Sequence, residues 1–184
     1  MNEDKQLREY MIDSTVVYEG RMLHVECDKV KLPNGHESTR ELLRHVGAVA
    51  IVPINEKGEV AMERQFRYPL DRVITEIPAG KLDSYEEDRL DAAKRELMEE
   101  TGITAGKWTS MGNFVPAAAY CSELITIYLA EDLTLGERKL DEDEFLNVIW
   151  IPLDELVEDV MNGNITDGKT LVGILKAKRI MDAR

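Results

Sequence analysis

The chain has little cysteine, few aromatics and no concentration of positive charge, and each shortage narrows its function. Two cysteines, Cys27 and Cys121, in 184 residues are too few for a disulfide framework or a thiolate metal site, so both read as ordinary semi-buried thiols. Lysine and arginine total 23 against 36 aspartates and glutamates, a net charge of −13. Such a field repels nucleic acid, and no run of basic residues forms a stripe to offset it. The longest apolar stretches have strand length, well short of a membrane span, and MNEDKQLREYM at the start lacks the apolar centre of a signal peptide. A cytoplasmic protein with no membrane partner is expected. His24, His36 and His45 do not fall at ligand spacing, so none is assigned to metal or to base.

What is present suits one well-cored globular domain, with 43% apolar and 32% charged residues. Residues 15–46 alternate apolar and polar around Pro33-Asn34-Gly35, a turn signal that predicts a hairpin or small sheet. The dense run GAVAIVPI stops at Asn55-Glu56-Lys57-Gly58 and EVAMERQFRY resumes, a second hairpin with a more buried first strand. ELITIYLAEDL and FLNVIWIPL read as later strands. Helices are expected over about 86–101, with Asp83 or Ser84 as N-cap and Gly102 as the stop, and over about 154–161 and 168–181, capped by Asp154 and Asp167. Many strands with three helices argue for a sheet sandwiched by helices.

The middle helix carries the chemistry. Leu90, Ala93 and Leu97 form its apolar stripe, while Glu96, Glu99 and Glu100 crowd a neighbouring face. Like charges three and four apart on a helix each cost a few tenths of a kcal/mol. A solvated surface softened by Lys94 and Arg95 is one reading of that crowding. A site for hard divalent cations, which take oxygen ligands, is the other.

Arg95, Glu96, Leu97, Glu99, Glu100, Gly102 and Ile103 reproduce without a gap the second half of G-x5-E-x7-R-E-U-x-E-E-x-G-U, where U is aliphatic, and so resemble the signature of the Nudix hydrolase family. The first half departs: from Gly80, positions 81–94 hold one residue more than the pattern. If Glu87 is the pattern's first glutamate the extra residue lies in the turn LDSYE, where loops tolerate insertion; Glu86 is the other choice. ERQFRYPLDRVITEIPAGKLD and NGNITDGKTLVGIL are similar to segments flanking the box in the family's ADP-ribose pyrophosphatase branch, and the resemblance runs from about residue 15 to 180.

That resemblance implies an α+β fold, a Nudix-type α/β/α sandwich with a mixed sheet and a small N-terminal antiparallel sheet used in dimerisation. Residues 1–45 would form the dimerising segment and 46–184 the hydrolase domain. The implied reaction is hydrolysis of a small nucleotide diphosphate, ADP-ribose plus water giving AMP and ribose 5-phosphate, in a homodimer. Other nucleotide sugars such as ADP-glucose or GDP-mannose, and a non-hydrolysing nucleotide-binding module, are the alternatives. Two or more Mg2+ ions, with Mn2+ a substitute, would be held by the Ala79 carbonyl and by Glu96, Glu99 and Glu100. Arg95 would orient these glutamates, and Glu144, with Glu142 as second choice, would handle the attacking water's proton. Arg67 would bind the diphosphate, Glu76 and Glu123 the adenosine or terminal ribose, and Arg40 would come from the partner subunit. Gly80 opens the box beside the substrate.

Overall fold

The computed structural model describes residues 4–140 and 145–184. Among them the chain separates into two compact units, residues up to 46 together with 117–123, and residues 47–116 together with 124–184.

The first unit is a three-stranded antiparallel sheet, β1 (Tyr10–Glu19), β2 (His24–Lys31) and β3 (Glu37–Leu43), in the order β1-β2-β3. Its second turn forms where Asn34 and Gly35 stand in the sequence. Gly35 takes φ +87°, open to a residue without Cβ, and the Asn34 side chain accepts the His36 N–H at 3.0 Å. Leu43 bridges in parallel to Cys121, tying 117–123 to this unit. Every position of β1 is exposed.

The second unit holds two sheets. A four-stranded mixed sheet runs β7 (Ala79–Lys81), β4 (Ala48–Pro53), β9 (Ile125–Leu135) and β8 (Ile103–Phe114), with β4 and β9 parallel and the other pairs antiparallel. A three-stranded antiparallel sheet runs β10 (Leu146–Pro152), β5 (Glu59–Arg67), β6 (Arg72–Glu76). β4 is buried at all positions, as a continuous apolar run covered on both faces requires. Ala48, Ala50 and Val52 join Ile127 and Leu129 of β9 in a core with Leu156 of α2 (Leu153–Met161) and Ile174 and Ala177 of α3 (Gly168–Met181). Alternation leaves Val49 and Ile51 for the opposite face, where α1 (Arg89–Thr101) packs on β4, β7 and β8. Gly173 lets α3 sit close: a Cβ there would lie 2.9 Å from Ile77 Cδ1 and 3.1 Å from Val52 Cγ2.

The helix ends show where local chemistry overrode the sequence expectation. α1 begins at Arg89, three residues later than expected. Its N-cap is Asp88, whose carboxylate accepts the N–H groups of Leu90 and Asp91, and neither Asp83 nor Ser84 caps it. Glu87 accepts the Asp83 N–H at 2.6 Å, which holds residues 83–87 in a turn. Gly102 closes the helix with φ +72°. α2 starts at Leu153 after Pro152 and has no side-chain cap. Asp154 sits inside its first turn and pairs with Lys178 at 2.8 Å. Asp167 caps α3 as expected. On the apolar stripe of α1, Ala93 and Leu97 are buried with Ala92, while Leu90 is half-buried; full burial of Leu97 contributes about 2 kcal/mol. β8 was not legible, because its glycines and polar residues break the alternation that marks a strand. Both cysteines are free and half-buried. No helix among the described residues is long and apolar enough to cross a membrane.

Candidate active site

The last turns of α1 gather the box residues around one guanidinium. Arg95 Nη1 donates to Glu96 at 2.7 Å and to Glu99 at 3.3 Å, while Nε and Nη2 reach Glu87 Oε1 at 3.3 and 3.2 Å. Burial disfavours the charge on Arg95, but the charge and hydrogen bond of Glu96, with those of Glu87, outweigh it and raise its pKa. The inserted residue therefore leaves Glu87, not Glu86, against the arginine. Glu86 is exposed and its N–H turns back to the Ser84 hydroxyl.

β7 supplies the floor on which these carboxylates rest. A Cβ at Gly80 would fall 1.9 Å from the Glu96 carboxyl carbon, so the missing side chain is the space Glu96 occupies. Next to it, the Ala79 N–H donates to Glu100 Oε2 at 3.1 Å, and Glu100 is buried. Sequence reasoning put Ala79, Gly80, Arg95, Glu96, Glu99 and Glu100 in one site, and the structure brings them together.

A second charged cluster joins β5, β6 and α3. Arg67 grips Glu76 bidentately, Nε to Oε1 at 2.7 Å and Nη2 to Oε2 at 2.9 Å. Glu76 is fully buried, and the Lys169 ammonium donates to its Oε2 and, at 3.1 Å, to Asp167 Oδ2. Burial depresses the Arg67 pKa, yet the Glu76 bond and charge override it and hold it above its ordinary value, with smaller contributions from Asp167 and Glu100. The Glu100 contribution sets this cluster within electrostatic reach of α1. Burial likewise pushes the Asp167 carboxyl up, but the Lys169 charge and the Thr170 hydrogen bonds leave it below the ordinary carboxylate range.

Arg40 on β3 and Glu123 belong to the first unit; Arg40 bonds Glu9, Ser38 Oγ and the Thr39 carbonyl, and Glu123 lies 3.8 Å from His45 Nδ1. Glu142 and Glu144 lie outside the described residues. Sequence reasoning assigned no role to Lys169, Asp167's second contact or Thr170; Asp-Gly-Lys-Thr showed only its capping aspartate. Burial of the lysine has no one-dimensional signature.

Among the described residues, no three or more His, Cys, Asp or Glu side chains converge on a single point as an ion cage. What fits a hard divalent cation is the donor chemistry: carboxylate oxygens on one helix end, one of them seated where the Gly80 side chain is missing.

The NUDIX domain model matches residues 43–171, and the model of the nucleoside diphosphate sugar hydrolase N-terminal domain matches residues 11–43. An ADP-ribose pyrophosphatase of Bacillus subtilis (strain 168) is 39% identical over 98% of this chain and 99% of its own length. A methanol dehydrogenase activator of Bacillus methanolicus is 38% identical, covering 92% of each chain. The crystal structure of an ADP compounds hydrolase superposes with a TM-score of 0.85 over 96% of both chains at 24% identity, which establishes the fold. With a family model spanning most of its length and such relatives along the whole of it, the chain belongs to the Nudix hydrolase family.

Proposed function

We propose that this Nudix hydrolase cleaves the diphosphate bond of ADP-ribose to give AMP and ribose 5-phosphate. The observation that carries the reading is the clamp of Glu87, Glu96 and Glu99 on Arg95 above Gly80, a negative site built to take compensating cations. The full-length similarity to an ADP-ribose pyrophosphatase supports the substrate.

The Ala79 carbonyl with Glu96, Glu99 and Glu100 would hold two or more Mg2+ ions, or Mn2+ in their place. Such ions supply charge compensation and lower the pKa of bound water. Arg95 fixes the carboxylates by charge-assisted hydrogen bonds. Arg67 faces the diphosphate, Glu144 or Glu142 takes the proton of the attacking water, Glu123 and the partner subunit's Arg40 serve the nucleoside and ribose ends, and the buried Glu76 acts on the substrate through its grip on Arg67.

A homodimer in the cytoplasm completes the proposal. Tyr10, Met11, Ile12, Val16, Val17 and Tyr18 of β1 are all exposed, so the strand presents large apolar side chains to water on both of its faces, as a strand covered by a second copy would. Purified protein given ADP-ribose and Mg2+ should release AMP, and ADP-glucose and GDP-mannose measured alongside rank the substrates by kcat/KM. Higher kcat/KM on either of those moves the assignment to that nucleotide sugar. Tight nucleotide binding without turnover of any substrate makes the protein a binding module.

A further inference from the structure

Lys169 belongs to a closed circuit of hydrogen bonds that begins at Glu76, the last residue of β6, and returns to the residue after it. Its ammonium bonds Glu76 Oε2 and Asp167 Oδ2. The same Asp167 oxygen accepts from Thr170 Oγ1 at 2.6 Å and Thr170 N at 3.0 Å. Thr170 Oγ1 in turn accepts the N–H of Ile77 at 3.0 Å, the residue after Glu76. The start of α3 thus holds both the side chain of Glu76 and the backbone beside it.

The outward end of this circuit is Arg67. Glu76 takes its Nε and one Nη2 hydrogen, and among the described residues nothing accepts from Nη1. The Arg67 side chain is 42% exposed while that of Glu76 is 1%. A guanidinium carries five N–H donors in a rigid fork, so an inner edge fixed on Glu76 leaves the outer donors pointing at one place. Charge follows the same plan: Arg67 and Lys169 balance Glu76 and Asp167. Without Lys169 the group carries a net negative charge, and a buried glutamate with one cation fewer draws Arg67 inward.

We propose that Lys169 is a positioning residue for substrate binding: through Glu76 it holds Arg67 with its outer donors presented to an anionic diphosphate. This rests on the assignment of Arg67 to the diphosphate. An interaction made equally with bound substrate and transition state appears in KM and not in kcat.

Two measurements test it. In the first, Lys169→Met raises KM for ADP-ribose by about 30-fold with kcat within about 3-fold, and Lys169→Gln, which keeps a donor to Glu76 without the charge, falls between. Glu76→Gln combined with Lys169→Met is no worse than Glu76→Gln alone, since coupled residues are non-additive. All assays run below the melting midpoint of each variant. In the second, the Nε–Hε NMR signal of Arg67, assigned by its loss in Arg67→Lys, is slowly exchanging in the wild type and broadens in Lys169→Met without any substrate present. An unchanged KM, effects that multiply in the double variant, or an unaltered Arg67 signal overturns the role of Lys169. Wild-type protein inactive on ADP-ribose overturns the substrate instead, and the NMR result still decides the lysine.

Discussion

Glu100 and Glu76 are both buried carboxylates in one compact unit, and their surroundings differ in kind. Glu76 lies between two cations, and with Asp167 the four groups balance. Beside Glu100, four carboxylates, Glu87, Glu96, Glu99 and, at 3.8 Å, Asp83, surround a single guanidinium. A buried pair matched in charge and hydrogen bonds makes a rigid support. Carboxylates in excess of their cation store repulsion that a bound metal relieves. One cluster is built to stay as it is; on the proposed function the other receives cations.

The largest way to break this contrast is to remove acid from the excess side. Glu100→Gln keeps the volume and an acceptor for the Ala79 N–H; we expect kcat to fall by about 10³-fold, roughly 4 kcal/mol of transition-state stabilisation, with the fold retained. Calorimetry should show weakened Mg2+ uptake in parallel. A rate within a few-fold of wild type assigns the acidic face to solvent. Gly80→Ala comes next. The atoms nearest the new Cβ are the carboxyl atoms at the far end of the Glu96 side chain, so Glu96 must leave its place against Gly80 while the backbone stays where it is. Activity should drop by about 100-fold while the melting midpoint moves by no more than about 3 °C. Gly173→Ala supplies the opposite pattern, because its Cβ meets Ile77 and Val52 in the core: overpacking costs about 1–3 kcal/mol of stability, with little direct effect on the reaction. Thermal melts and steady-state rates on both variants separate the two kinds of glycine.

The same contrast explains what the sequence made legible. The excess cluster lies on consecutive turns of one helix, so its residues are readable from spacing, while the choice of a cation site over a solvated face came from the resemblance of residues 95–103 to the Nudix signature. The balanced cluster joins Arg67, Glu76 and Lys169, the last two 93 positions apart, and such closure depends on the end of β6 meeting the start of α3. Capping was readable where it was purely local, as at Asp167 and Gly102. It was misread at α1, because Glu87 is drawn to Arg95 eight residues on and the chain turns before the helix begins. β8 depends on its partner β9 for definition, and its own residues carry little strand signal.

The smallest effect concerns the capping aspartate, and it sharpens the contrast by showing a balanced group acting on stability. Asp167→Ala removes the α3 N-cap and should cost about 1 kcal/mol at pH 7, whereas Asp167→Asn keeps capping geometry and loses only the charge beside Lys169. The folded pKa of Asp167 is depressed below its ordinary 3.8, so the unfolded chain binds the proton more readily. Its stabilisation is therefore complete above 3.8 and disappears as pH falls through the lower folded value. Chemical denaturation at pH 7 and at successive steps below pH 4 should show the gap between wild type and Asp167→Asn closing as the carboxylate protonates. A gap that holds constant down that series means the charge of Asp167 does not stabilise the fold, and the balance around Lys169 rests on Glu76 alone.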